Sequence, residues 1–142
     1  MNIMGLVYAD LEIINTIDIA LAKKSIIGEE EIKSLRVNAL VDTAAYNMCI
    51  NEIIQSQLEL PFVEKRTGVL ANGEIETYDL VGPLTIKFKN RTTICNALVL
   101  PGNNEVLLGA IPMEDMDVII DPKKQTLEVN PEHPYFAQMK LK

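Results

Sequence analysis

The sequence contains no tryptophan, one histidine and two cysteines, and only 5% of its 142 residues are aromatic. Cys49, Cys95 and the lone His133 lack the spacing of a zinc site, so we expect no structural metal. A chain of this length buries a core of its own and does not need to be a small disulfide scaffold. We therefore expect Cys49 and Cys95 to be small groups of the core and His133 to be solvated at the surface.

Long apolar runs and clusters of basic residues are also missing. No uncharged apolar stretch reaches the roughly 18 residues that span a bilayer, so we expect no membrane partner. The basic residues are scattered through a chain of net charge −7, which argues against nucleic acid as a partner. Asp10 and Glu12 come early with no lysine or arginine before them, unlike a secretory leader. These features predict a cytoplasmic protein with reduced thiols.

What is present is typical of a single globular domain made mainly of strands. Hydrophobic content is 48% and charged content is 23%, both near globular averages. Period-two alternation of apolar and polar residues predicts strands at 4–14, 17–22 and 35–41. Further patterns predict an exposed loop at 23–31, hairpins near 64–79 and 84–100, and final strands at 116–121 and 125–129.

One helix longer than two turns is predicted, at residues 51–60. Asn51 is a good N-cap, Glu52 is favourable in the first turn, and Pro61 ends the segment. Pro112 permits one further helical turn. Many short strands with one helix indicate an all-β, barrel-like or sandwich-like domain.

The alternating segment 35–41 ends at a single acid, Asp42, followed by Thr43, Ala44 and Ala45. An apolar strand face that stops at an acid, a hydroxyl and two small residues predicts a tight loop with its side-chain oxygen aimed at a partner. A single acid at a strand end is more often a turn or cap residue, so Asp42 is at this point a candidate functional residue without an assigned role.

Two later segments complete the set of candidates. Asn72 and Gly73 are the strongest hairpin signal in the chain, because the tightest hairpin turn needs positive φ at both central residues. Leu107, Leu108 and Gly109 form a short apolar run closed by glycine.

In order and spacing these segments resemble the retropepsin-like aspartic proteases in their single-domain, retroviral-type form. ALVDTAA (39–45) resembles the family's apolar-apolar-Asp-Thr-Gly-Ala signature, ANGEI (71–75) the tip of its flap hairpin, and residues 107–122 its apolar-apolar-Gly segment. The likeness covers 4–129. It implies an acid-protease barrel with one short helix, a flap hairpin and a twofold homodimer, built from a protease domain at 1–130 and an extended C-terminal tail at 131–142.

The resemblance implies peptide hydrolysis by two aspartates that share one proton, without cofactor or metal. No other aspartate here is followed by Thr and a small residue, so the second one must be Asp42 of another copy. Thr43 would tie the two loops together, and Ala44 and Ala45 would line the cleft. The flap residues that close over an extended peptide or protein substrate would be Ala71, Asn72, Gly73 and Glu74, and the second loop would be Leu107, Leu108 and Gly109.

Two other functions stay open, the first of them because Ala44 stands where the family usually has glycine. Glycine permits positive φ, whereas alanine does not. One alternative is a non-catalytic peptide-binding or assembly module on the same fold. The other is a monomeric β-domain in which Asp42 has a structural role.

Overall fold

The computed structural model describes residues 5–141; Met1–Met4, which include the first residue of the strand predicted at 4–14, and Lys142 lie outside the described part. The strands are β1 (Tyr8–Asn15), β2 (Ser34–Val41), β3 (Met48–Asn51), β4 (Phe62–Val69), β5 (Ile75–Phe88), β6 (Arg91–Leu100), β7 (Leu107–Leu108), β8 (Val118–Asp121) and β9 (Thr126–Val129). The α-helices are α1 (Thr16–Lys23), α2 (Glu52–Leu58) and α3 (Ala110–Met116), and Glu29–Glu31 forms one 3₁₀ turn.

Strand exceeds helix, 45% against 18%, which confirms the all-β prediction. The structure has three short α-helices: α2 at the predicted helix, α3 at the helical turn predicted at Pro112, and α1, which the sequence did not predict. No helix in the range 5–141 is long and apolar enough to cross a membrane.

The main sheet closes on itself. Its strands follow the order β1-β2-β7-β3-β6-β5-β4, and β1 also pairs antiparallel with β5. This pairing joins all of these strands except β4 into a ring around the core, while β8 and β9 form a separate two-stranded sheet. Leu11, Ile13, Leu84, Ile86 and Leu108 are fully buried there. The ring agrees with the barrel-like prediction.

The alternation read from the sequence explains β1 and β2. In β1, Ala9, Leu11 and Ile13 are buried and Asp10 is exposed. β2 pairs antiparallel with β1 and turns Ala39 and Val41 inward. Because successive side chains of a strand face opposite sides, this register sends Asp42 out of the core at the end of β2.

The strand predicted at 17–22 is wrong, because this segment is helix α1. Asn15 is its N-cap, and the Asn15 side chain accepts a hydrogen bond from Asp18 N–H at 3.2 Å. The Asp18 carboxylate is buried and pairs with the Lys33 backbone N–H and ammonium, both at 3.0 Å. An N-cap residue followed three positions later by an acid marks a helix start. The N-cap is stronger evidence for a helix than the alternation of residues 17–22 (IDIALA) is for a strand, because six residues can alternate by chance.

Helix α2 confirms the predicted N-cap but not the predicted length. The Asn51 side chain accepts from Ile54 N–H at 2.9 Å. The helix has 7 residues, which is under two turns, whereas α1 has 8. The helix ends early because Glu59 adopts a left-handed conformation, with φ of 50°. The prediction that 51–60 holds the one helix longer than two turns is therefore wrong.

The C-terminal tail folds back onto the body of the protein. Asp117 ends α3, and its carboxylate accepts hydrogen bonds from Asn130 Nδ2 at 3.0 Å and Gln138 N–H at 3.0 Å, and pairs with His133 Nδ1 at 2.6 Å. The buried Arg91 donates to the His133 carbonyl oxygen. The predictions of an extended arm and of a solvated His133 are therefore wrong for residues 130–138. A domain boundary at residue 130 stays a prediction.

Acid is expected to loosen the tail. The hydrogen bonds from Asn130 and Gln138 lower the pKa of Asp117 from 3.8 to about 2. A lowered pKa means that the folded protein favours the ionised form, so this stabilisation is complete above about pH 4 and is lost as pH falls through about 2. The Gln138 amide resonance in NMR should move toward its random-coil position over that range. Asp117→Asn should show the loosened tail at neutral pH, and an unchanged Gln138 resonance in that variant would contradict the prediction.

Candidate active site

The Asp42 loop begins where β2 meets β7. The two strands run parallel, with Leu40 opposite Leu107 and Val41 opposite Leu108. Asp42 N–H donates to the Leu108 carbonyl oxygen at 3.0 Å. The structure thus brings the predicted catalytic residue and the predicted second loop together through backbone hydrogen bonds, although Leu108 lies 66 positions after Asp42 in the sequence.

A turn made by its own side chain positions the Asp42 carboxylate. Oδ1 accepts a hydrogen bond from Ala44 N–H at 3.0 Å, and Ala45 N–H donates to the Asp42 carbonyl oxygen at 3.2 Å. Asp side chains commonly cap their own backbone two residues on in this way. Within residues 5–141, Oδ2 has no hydrogen-bond partner, and Asp42 is half-buried. One carboxylate oxygen is therefore held by the loop while the other stays available.

The loop accommodates Ala44 without backbone strain. The non-glycine residues with positive φ in the described chain lie elsewhere, at Ser25, Glu59, Lys89, Asp117 and Gln125. The Ala44 side chain is exposed, as is Thr43, and Ala45 is half-buried. The conformational reason for requiring glycine at this position therefore does not apply to this loop.

Gly109 holds the second loop against the first. A Cβ on Gly109 would lie 2.2 Å from the Asn47 carbonyl oxygen, much closer than van der Waals contact. This absence of a side chain lets Ala110 N–H donate to Ala45 at 2.8 Å and Ile111 N–H donate to Tyr46 at 3.0 Å. Of these residues, sequence reasoning named Gly109 and Ala45 but missed Tyr46, Asn47, Ala110 and Ile111, whose only signal is that they lie within two residues of a predicted site segment.

The predicted flap is a hairpin of β4 and β5, with a turn that differs from the expected one. Gly73 has φ of +87°, but Asn72 is not in the left-handed region. Gly73 N–H donates to Leu70 at 2.8 Å, and Glu74 N–H donates to Asn72 Oδ1 at 2.9 Å. This is a three-residue turn that needs only one left-handed residue, so the two-residue turn is wrong.

The hairpin tip makes no hydrogen bond to the Asp42 loop. Residues 71–74 are all exposed. Across the described chain, no hydrogen bond joins them to residues 42–45. Hydrogen bonds therefore connect Asp42–Ala45 to the second loop and the start of α3, but not to Ala71–Glu74.

A family model of aspartyl proteases matches residues 29–111. This span is more than half of the chain and contains β2, the Asp42 loop, the hairpin and Gly109. The chain belongs to the aspartyl protease family. The family is one of the retropepsin-like clan, so the resemblance read from the sequence is confirmed. A search of curated proteins gives no match.

In this aspartyl protease family member the thiols near the site are unreactive. Burial, and to a lesser extent the negative charge of Asp42, raises the pKa of Cys49 to about 11. Burial likewise raises the pKa of Cys95 to about 12, with a smaller contribution from Asp115. Both thiols are protonated at neutral pH, and a thiol is a poor nucleophile. Cys49 is buried in the core as predicted, and Cys95 is half-buried against it.

No group of three or more His, Cys, Asp or Glu side chains that could hold a metal occurs in the part of the chain that the structure describes. The chemical groups of the candidate site are a carboxylate with one oxygen unbonded among residues 5–141, the Thr43 hydroxyl, two small side chains and the backbone of the second loop.

Proposed function

We propose that the chain is an aspartic endopeptidase that works as a homodimer, with one catalytic carboxylate from Asp42 of each copy. The observation that carries the proposal is the position of Asp42, directly after β2 and bonded through its N–H to Leu108, within the span matched to aspartyl proteases. No second carboxylate in residues 5–141 is hydrogen-bonded to Asp42. A twofold dimer would supply one, because each copy places the same residue at the axis.

The proposed chemistry needs only the two carboxylates and a water molecule. Two carboxylates about 3 Å apart share one proton, because both cannot be ionised at that distance. The ionised Asp42 accepts a proton from water as the water oxygen attacks the peptide carbon, and the protonated Asp42 donates its proton to the carbonyl oxygen. The C–N bond then breaks and a proton passes to the leaving amine. The products are one free carboxyl group and one free amine.

In the same proposal the hairpin tip, Ala71–Glu74, closes over an extended peptide bound in the cleft. The exposure of the tip, and its attachment through only β4 and β5, support a moving role. Thr43 is exposed beside Asp42, where it can donate a hydrogen bond to the loop of the second copy.

Dilution tests whether the active unit is a dimer. The purified protein should cut a mixed peptide library at acidic to mildly acidic pH, with products identified by mass spectrometry. Cleavage per subunit should fall as the protein is diluted through the range in which sedimentation velocity shows dimer becoming monomer. Constant cleavage per subunit among monomers would overturn the dimer mechanism, and an exclusively monomeric, inactive protein at high concentration would favour a structural role for Asp42.

A second candidate is a non-catalytic peptide-binding or assembly module. Two observations favour it: alanine replaces the usual glycine at position 44, and one oxygen of Asp42 is already occupied by Ala44 N–H. This module would be a dimer that binds extended peptides without cutting them.

The Ala44→Gly variant separates the two candidates. Because the loop needs no positive φ at residue 44, we expect less than a tenfold change in kcat/KM. The free energy of unfolding should fall by about 0.4–1 kcal/mol, since glycine gives the unfolded chain more freedom. Peptide cleavage and urea unfolding measure the two effects. A gain in cleavage of about a hundredfold would instead support the weakened or non-catalytic module.

A further inference from the structure

A small cavity adjoins the end of the Asp42 loop. Its volume is about 210 Å³. Buried apolar side chains of Met48, Leu80 and Pro112 line its inner part, and Asn47, Asn96 and Arg66 line its polar side. The cavity therefore joins four parts of the fold: the chain after the Asp42 loop, the start of α3, the hairpin strands β4 and β5, and strand β6.

Asn47 connects the cavity to the Asp42 loop and to the second loop. Asn47 is five residues beyond Asp42 and contacts Gly109 through its carbonyl group. Alternate side chains of an extended peptide point the same way, about 6.6–6.8 Å apart. A peptide lying across Asp42 therefore has side chains at regular steps along the cleft, one of which can enter the cavity.

Arg66 contributes the only ionised side chain that lines this cavity. Its Nε donates to Glu64 Oε2 on the same face of β4, which orients the guanidinium group. Among residues 5–141, no group accepts a hydrogen bond from Nη1 or Nη2. Two parallel N–H donors are the geometry that binds a carboxylate bidentately. Asn47 and Asn96 add amide donors without side-chain hydrogen bonds in the same range.

We infer that this cavity is a specificity pocket that takes a glutamate or aspartate side chain of the substrate, with Arg66 as the residue that selects it. This inference rests on the proposed function for its substrate, an extended peptide. The selectivity concerns one position only, because the net charge of −7 disfavours peptides that are acidic throughout. Arg66 and Glu64 are each about half exposed, with side-chain exposures of 53% and 52%. Solvent and Glu64 therefore moderate the preference.

Lys65→Gln provides a matched control for Arg66→Gln. Lys65 is the next residue of β4, faces the opposite side and pairs with Asp79 at 2.6 Å. Both substitutions remove one positive charge from the same strand. Only the loss of Arg66 should remove the preference for an acidic side chain in the cavity. An effect of overall charge would instead appear in both variants.

The experiment measures binding and cleavage separately. Immobilised Asp42→Asn protein, which keeps the cleft without turnover, is panned against a random peptide library, and the bound peptides are sequenced. Glutamate and aspartate should be enriched at one position in this background and in its Lys65→Gln derivative, but not in its Arg66→Gln derivative. For a peptide that the active protein cuts, exchanging glutamate for glutamine at that position should lower kcat/KM about threefold to tenfold. Arg66→Gln should remove the difference.

The outcomes distinguish the inference from the proposed function. Cleavage with no acidic preference at any position overturns the specificity pocket and leaves the endopeptidase intact. Arg66-dependent enrichment of acidic peptides without any cleavage supports the pocket and overturns the endopeptidase. Equal loss of enrichment in the Lys65→Gln and Arg66→Gln derivatives overturns the pocket, because it assigns the preference to overall charge.

Discussion

Replacing Asp42 with asparagine is expected to lower peptide cleavage by about 10³-fold or more, because the proposed mechanism loses the group that accepts and donates the proton. The fold should survive the change. Asparagine keeps an oxygen that can accept from Ala44 N–H, the hydrogen bond that Asp42 makes at 3.0 Å. Thermal unfolding and sedimentation should therefore match the wild-type protein, while mass spectrometry shows uncut peptides.

Asp10→Asn is the matched control for this prediction. Asp10 is exposed on β1, and the substitution removes the same charge away from the cleft. It should leave cleavage unchanged. Undiminished cleavage by Asp42→Asn would remove the mechanism.

Mixing the two proteins tests whether the site is shared between copies. When equal amounts of wild-type and Asp42→Asn subunits exchange freely, about a quarter of the dimers contain two wild-type copies. Cleavage should then fall to about a quarter of that of the same total amount of wild-type protein. A value near one half would mean that each subunit carries a complete site, which contradicts the pair of Asp42 residues.

Replacing Gly109 with alanine is expected to cause the largest loss of stability at the site. The added methyl group would lie 2.2 Å from the Asn47 carbonyl oxygen and 2.8 Å from two backbone carbon atoms of Tyr46 and Asn47. Backbone atoms cannot rotate away as a side chain can. We expect the free energy of unfolding to fall by about 1–3 kcal/mol or more, measured by urea unfolding with circular dichroism. The hydrogen bonds of α3 to Ala45 and Tyr46 should weaken at the same time.

Gly28→Ala is a suitable control, because the three atoms nearest to the added methyl group all belong to the flexible end of the Glu30 side chain. We expect a change below about 1 kcal/mol at this position. Both glycines have negative φ, −86° and −78°, so the comparison isolates steric contact from backbone conformation. Equal stability of the two variants would show that the second loop can move away from the first.

Local sequence patterns predicted a strand correctly where one of its faces is buried, and a helix correctly where its N-cap residue starts it. β1 and β2 follow from alternation, because their apolar sides face one closed core. α2 follows from the Asn51 cap. The candidate site was also visible locally: an acid at the end of β2 and an apolar pair before Gly109 are unusual enough to be noticed in a sequence.

Other elements were decided by partners far away in the chain. α1 depends on Asp18, which is buried against Lys33, and a short alternation could not reveal that contact. The tail folds back because Asp117 gathers Asn130, His133 and Gln138 around one carboxylate. The hairpin turn has three residues because Leu70 N–H donates to the Glu74 carbonyl oxygen and closes it. Asn72 and Gly73 fit either a two-residue or a three-residue turn, so the sequence alone could not distinguish the two.

The sequence by itself determined the family, the mostly β composition and the choice of Asp42 as the candidate catalytic residue, because these depend on residue types in a short order. Only the tertiary structure decided that β7 lies beside β2, that Gly109 must lack a side chain, and that Ala44 needs no positive φ. Only the structure places Arg66 at a cavity beyond the Asp42 loop. The physical reason is the same in each case: these properties depend on distances between backbone segments that pack together only when the ring of strands closes.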